Sequence, residues 1–262
     1  MKSFAAALLA LALAAGVAVA GDDPLSPGED PGVEDGAVIE QVGDNNDATI
    51  NQLNSAGAIN QGVILQYNVG NGADGNEALL DQSTAGNTGF IDQVGEGNRA
   101  RINFDGEGGH TGIVVQEGEG HNIGFTMEGE GNLADIRQYG TSAHTVGVAG
   151  TFDAPGAVFQ VGNDNVFEVV QEGDGDGHLV TTPDGEDVIQ QGDNNKIFVT
   201  QHGDGATNEA RLLQANGDVF GNTITLHQEG GGNAATVQQR SDNNSAVVSQ
   251  NGNNNTATIT QD

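Results

Sequence analysis

In Asn255-Thr256-Ala257-Thr258-Ile259-Thr260-Gln261, one parity holds Asn255, Ala257, Ile259 and Gln261, and the other holds only threonine. Successive side chains of a strand point to opposite faces. The stretch therefore predicts one short strand with alanine, isoleucine and two amides on its inner side. The alternation recurs along the chain. An aliphatic residue holds the same central position at Ile50, Ile102, Ile136, Val169, Val199, Val237, Val248 and Ile259. The residues between are mostly polar or β-forming, as at Asp47, Thr49 and Asn51. A helical period would scatter this apolar set around the axis, so the pattern predicts strands and no helices.

The strands sit in a fixed frame: Gln, Gly at +2, Asn at +5, Ala at +7 and Gln again at +11. Gln41, Gly43, Asn46, Ala48 and Gln52 fit it, as do Gln228, Gly230, Asn233, Ala235 and Gln239, and Gln250, Gly252, Asn255, Ala257 and Gln261. Gln93, Gly95, Asn98 and Ala100 close on Phe104, and Met127 opens Gly129, Asn132, Ala134 and Gln138. Gln160, Asn165 and Gln171 carry Phe167 in the alanine position, and Gln190, Asn195 and Gln201 carry Ile197. Gln239, Ser241, Asn244, Ala246 and Gln250 replace the glycine. Glycine in the turn permits positive φ.

Two strands and two turns make a coil of about 22 residues. The frame from Gln41 to Gln261 offers some twenty strand slots, with weak ones at Gln66, Ala149, Thr182 and Gln214. The expected fold is an all-β, two-stranded-per-coil β-solenoid of about ten coils over residues 37–262, stacked like cross-β structure. Insertions near Asn71–Gly75, Gly147–Pro155, Pro183–Asp187, Ala206–Thr207 and Asp218–Gly221 are expected as bulging turns on the rim.

Asn and Gln share the inner parity with Ile and Val. Buried amides are costly unless paired. A stack pairs each amide with its equivalent one coil away. The frame residues named above, with Ile50 and Ile259, are therefore the candidate ladder and self-assembly positions. Gln41 and Asn46 lie toward one end, Asn255 and Gln261 toward the other. The last strand ends in phase with only Asp262 after it, which suggests an end that receives another copy.

Composition narrows the partners. The chain has 262 residues, a net charge of −30, 42 glycines, 35% hydrophobic residues and no cysteine. Such a balance ordinarily gives disorder, but composition alone would not keep a repeat in phase. Seven Lys plus Arg cannot supply a phosphate-binding patch, which excludes nucleic acid. Disulfides are excluded too. Lys2, the apolar run to Val19 and Ala18-Val19-Ala20 read as a signal peptide over residues 1–20, with no membrane insertion afterwards. Residues 21–36 read as an acidic, Pro/Gly-rich flexible segment.

Candidate chemistry is sparse, and no catalytic residue, cofactor or metal is expected. Gly70–Gly75 matches GxGxxG but is followed by a strand pattern, so it reads as a bulged turn. His110, His121, His144, His178, His202 and His227 read as scattered over different slots, which argues against a metal cluster. Asp174-Gly175-Asp176 with Asp184, Glu186 and Asp187 could hold Ca²⁺, although solubility before export explains the charges better. Glu96 should stack near Glu119 and Glu107 near Glu130, where like charges repel.

The motif Gln-x-Gly-x-x-Asn-x-Ala-x-x-x-Gln at Gln41–Gln52, Gln228–Gln239 and Gln250–Gln261 resembles the curlin family. The resemblance implies a subunit of extracellular amyloid fibres, curli, at the surface of a Gram-negative bacterium, serving biofilm and adhesion. It also implies a nucleator subunit and an outer-membrane secretion channel as partners. Two other readings stand beside it: a monomeric solenoid binding Ca²⁺ or a surface ligand, and a β-helix enzyme. The second would need a Lys or Arg cluster, and Lys196 is the only lysine after Lys2.

Overall fold

A computed structural model describes residues 35–53, 59–68, 74–147, 158–174, 176–181, 188–215 and 220–262. The expected signal peptide and nearly all of the acidic segment lie outside these residues, as do Asn71, Ala149, Thr182 and Asp184–Asp187.

The described residues form two parallel sheets and no helix. Sheet A contains β1 (Gly36–Val42), β3 (Gln61–Tyr67), β5 (Thr88–Glu96), β7 (Thr111–Glu119), β9 (Leu133–Gly140), β12 (Val166–Glu172), β15 (Lys196–His202), β17 (Thr223–Glu229) and β19 (Ser245–Asn251), in that spatial order. Sheet B contains β2 (Asp47–Gln52), β4 (Glu77–Gln82), β6 (Arg99–Phe104), β8 (Asn122–Glu128), β10 (Thr145–Val146), β11 (Val158–Val161), β13 (Leu179–Thr181), β14 (Val188–Gln191), β16 (Glu209–Gln214), β18 (Ala234–Gln239) and β20 (Thr256–Gln261). The chain alternates between the sheets, and each strand pairs with its equivalent one coil away. This is the expected β-solenoid.

Among the described residues nine coils are present where about ten were expected. Strand β8 pairs with both β10 and β11, so these are two halves of one rung. Strand β16 likewise pairs with both β13 and β14. Counting at a strict interval of eleven created extra slots at Ala149 and Thr182. Gln160 and Gln190 fill the true positions, opposite Met127 and Gln214. The insertions expected at Gly147–Pro155 and Pro183–Asp187 lie, apart from Gly147, outside the described residues; the strands flanking each belong to one rung of sheet B. The flanking residues keep register, Val146 with Ile123 and Val158 with Phe125. The other three insertions do fall between strands.

The core is a thin slab between the sheets. Ile64, Ile91, Val114, Ile136, Val169, Val199, Leu226 and Val248 face it from sheet A, and Leu80, Ile102, Phe125, Val158, Leu212 and Val237 from sheet B. Larger side chains fit where the opposite strand carries glycine. A Cβ on Gly112 would lie 2.8 Å from both the Phe104 and Phe125 rings. Parallel coils rise about 4.8 Å each, so the stack is about 40 Å long.

The amide ladders and the two open ends

The +11 position of sheet A is an unbroken column of glutamines: Gln41, Gln66, Gln93, Gln116, Gln138, Gln171, Gln201, Gln228 and Gln250. Each Nε2 donates to the next Oε1 at 2.7–3.0 Å. From Gln66 to Gln228 these side chains are fully buried. The second N–H of most members crosses to the other sheet. Gln93 donates to the Glu77 carbonyl, Gln116 to Arg99 and Gln250 to Ala234. One amide thus ties a coil to the next coil and to the opposite strand. The pairing removes most of the cost of burying it.

Sheet B carries the same column in two pieces. Gln52 donates to Gln82 at 2.9 Å, and Gln160, Gln190, Gln214, Gln239 and Gln261 continue it at 2.8–3.1 Å. Phe104 and Met127 occupy the two positions between. Gln160 Oε1 faces Met127 across the break and is buried with no donor.

Except at the last coil, where Asn255 Nδ2 donates to Asn233 Oδ1 at 3.0 Å, the asparagine positions link differently from the expected amide-to-amide ladder. In sheet B, the backbone N–H of Asn76 donates to Asn46 Oδ1, that of Asn98 to Asn76, that of Asn233 to Asn208 and that of Asn255 to Asn233, at 3.0–3.1 Å. Sheet A repeats this with Asn132, Asn165, Asn195, Asn222 and Asn244. The Nδ2 groups donate to turn carbonyls: Asn98 to Gly118 and Asn233 to Gly252. The cause is local. Each position follows a turn, so its backbone N–H has lost the strand ladder, and the neighbouring side chain supplies the missing acceptor.

The histidines correct the sequence reading. Four of the six share one slot: His110 holds the asparagine position in sheet A, and His121, His144 and His178 hold it in three consecutive coils of sheet B, whereas His202 and His227 lie at other positions of sheet A strands. The backbone N–H groups of His144 and His178 donate to Nδ1 of His121 and His144 at 3.2 and 2.9 Å. Among the described residues no group of His, Cys, Asp and Glu is arranged for a metal ion.

The rim is set by glycines in tight columns. Gly118 has φ of +140°, and a Cβ there would collide with the Gly140 carbonyl. The acidic turns stack as expected, with Glu96 beside Glu119 in the sheet A register and Glu130 bridged to Gly108 next to Glu107. Asp174, of the proposed Ca²⁺ group, accepts bonds from the Thr141 N–H and hydroxyl at 2.8 and 2.9 Å, which hold its carboxyl below the usual range.

Among the described residues, no strand pairs with the outer edges of β1 and β2 or of β19 and β20. Ile39, a core position, is 45% exposed on the first coil, whereas Ile64 directly behind it is 0% exposed. Gly252 is open, its nearest neighbour being Asn255 Nδ2 at 3.7 Å, whereas a Cβ on Gly230 would strike the Gly252 carbonyl.

Residues 233–262, from the turn before β18 through β20, match the curlin associated repeat. No curated protein and no solved structure matches the chain. The match supports the curlin resemblance over residues 233–262, and curlin proteins are structural proteins of extracellular curli fibres.

Proposed function

We propose that the chain is a subunit of extracellular curli fibres that grows by stacking the first coil of one copy on the last coil of another. The observation that carries this reading is the match between the two open ends. Continuing the internal register sets β20 against β2 of the next copy, with Ala257 opposite Ala48, Ile259 opposite Ile50 and Gln261 opposite Gln52. It also sets Val248 opposite Ile39 and Gln250 opposite Gln41. Asn255 Oδ1 then receives the Asn46 N–H, as Asn233 Oδ1 receives that of Asn255. Parallel backbone bonds and the amide columns run on without a seam.

The copies meet head to tail, so the contact propagates as a filament. A nucleator subunit would start the first stack, an outer-membrane channel would deliver the chain, and the fibres would serve biofilm and adhesion. These roles rest on the family resemblance. The test is to purify the secreted chain and follow it by sedimentation and fibre diffraction. Fibres with a meridional spacing of about 4.8 Å are expected. A chain that stays monomeric at high concentration sinks the reading.

A further inference from the structure

The histidine column has no part in the proposed docking and differs from the rest of the stack. His121 and His144 lie ring on ring, with centroids 5.0 Å apart and planes 6° from parallel, and His144 and His178 follow at 4.9 Å and 19°. Their relative exposures are 0%, 0% and 3%. Both nitrogens of each ring are engaged. Nε2 meets the carbonyl of Glu117, Tyr139 or Glu172 at 3.3, 3.0 and 3.2 Å. Nδ1 accepts the backbone N–H of the next coil, at His144, His178 and Asn208. A carbonyl cannot donate and a backbone N–H cannot accept, so the neutral Nε2–H tautomer is the only form that satisfies both contacts. No lone pair remains for a metal.

We propose that this column is an acid-operated weak point in the middle of the stack, closed while its rings are neutral and opened when they gain protons. Protonating Nδ1 sets N–H against N–H at the start of the next coil. It also places cations about 5 Å apart in a buried column. Asparagine in the same position has no such response, so the coils on either side keep their ladders in acid.

The charged surroundings favour protonation by less than burial opposes it. Glu119 lies in the His121 turn with Glu96 beside it, and Arg99 donates its backbone N–H to the His121 carbonyl. Glu117 and Tyr139 contribute the carbonyls, and Asp174 lies near His144. Glu172, His202 and Asp204 surround His178, with Asp176 in its turn. Desolvation outweighs these carboxylates and pushes all three rings down to about 4. Folded values depressed in this way leave stability intact above the ordinary histidine value and remove it as pH falls toward the folded value. The window runs from about pH 6.5 to about pH 4.

The test replaces all three rings by asparagine, the residue this position carries elsewhere, as His121→Asn/His144→Asn/His178→Asn. Hydrogen exchange of the full chain is compared at pH 7 and pH 5, corrected for intrinsic exchange. The parent should lose at least tenfold protection in β8, β10, β13 and the turns between them, and the variant should lose none there. An identical pH response in both proteins overturns the proposal. Imidazole ¹⁵N spectra of the unaltered chain give a second readout that needs no variant. Three rings held as the Nε2–H tautomer down to pH 5 are expected; titration near pH 6.5 overturns the idea.

Discussion

Gly252→Ala separates the fold of one subunit from the contact between subunits. Within the subunit the added methyl has room, because nothing but Asn255 Nδ2 approaches, at 3.7 Å. It carries a cost from φ of +105°, about 1–2 kcal/mol. In a fibre the position changes. The next copy brings Gly43 over Gly252, as Gly252 lies over Gly230 inside the subunit. At that internal step, Gly252 N donates to the Glu229 carbonyl at 3.0 Å and Asn233 Nδ2 donates to the Gly252 carbonyl at 2.8 Å. The equivalent bonds across the junction are Gly43 N to the Asn251 carbonyl and Asn255 Nδ2 to the Gly43 carbonyl. A methyl that collides with the Gly43 carbonyl breaks both. At about 1 kcal/mol each, plus residual crowding of similar size, the junction loses about 3 kcal/mol. That is about a hundredfold rise in critical concentration. The assay is the soluble fraction at steady state after seeding, with circular dichroism confirming the β content of the soluble chain. The variant keeps its first coil intact, so it should also dock on the last coil of parent seeds and stop them. A parent-like critical concentration, with no poisoning of seeds, refutes the proposed junction.

Gln138→Leu strands Gln116 Nε2 and Gln171 Oε1 in the buried sheet A column. It should cost about 2–5 kcal/mol, read as a lowered guanidinium midpoint of the soluble chain. Met127→Gln gives Gln160 Oε1 the donor it lacks, so it should stay within about 1 kcal/mol of the parent, whereas Met127→Ala leaves a cavity and loses about 2–4 kcal/mol. Asp92 lies half-buried between Leu65 and Val115, and burial with nearby Glu117 pushes its carboxyl up to about 6. A raised carboxyl value gives stability below the ordinary aspartate value that is lost as pH rises through the folded one. Asp92→Asn should therefore stabilise by up to about 3 kcal/mol at pH 7.5 and by almost nothing at pH 4. Equal midpoints at pH 7.5 would contradict it. Acid, salt or Ca²⁺ should speed assembly by relieving repulsion between stacked rim carboxylates such as Glu96 and Glu119, and assembly rates indifferent to all three would refute the role of charge.

The parts of this fold that were legible in the sequence are those fixed by parity and phase. Gln, Asn and the central aliphatic fall on one face because a strand has a period of two, and the glycine positions follow from turns that need positive φ. Phase failed where a strand was interrupted. Val146 and Val158 sit in one rung of sheet B, in register with Ile123 and Phe125, although twelve positions apart in the sequence. A fixed interval therefore landed on Ala149 instead of Gln160. The same interruptions hid the histidine column, because His144 and His178 are separated by 34 residues. The signal was local: His110, His121 and His178 each directly follow a glycine and precede a strand, as Asn76, Asn98, Asn132 and Asn233 do. The asparagine linkage was not legible, because parity gives the face of a side chain and not the backbone donor beside it.

The ladders also dictate the sense in which copies can join. Glutamine Nε2 always donates toward the last coil, as from Gln228 to Gln250. The backbone N–H after each turn always donates toward the first, as from Asn255 to Asn233. The amides cannot reverse singly, since the crossing bond to a backbone carbonyl, such as Gln250 to Ala234, fixes which atom is nitrogen. Reversing a column costs about 1 kcal/mol at every coil, so the cost grows with length. The first coil thus offers Gln41 and Gln52 oxygens, and the last offers Gln250 and Gln261 donors with the Asn244 and Asn255 oxygens. Joining unlike ends satisfies both senses, while two first coils set oxygen against oxygen. Charge acts in the same direction. Glu40, Asp44 and Asp47 all belong to the first coil, and residues 245–261 contain no charged side chain. Contacts between first coils therefore repel, whereas a first coil meets no charge over residues 245–261 of a last coil, and Asp262 beyond them lies by Arg240 at 3.6 Å. A fibre built this way has two chemically different ends, and a subunit altered at one of them blocks growth only where that end is exposed.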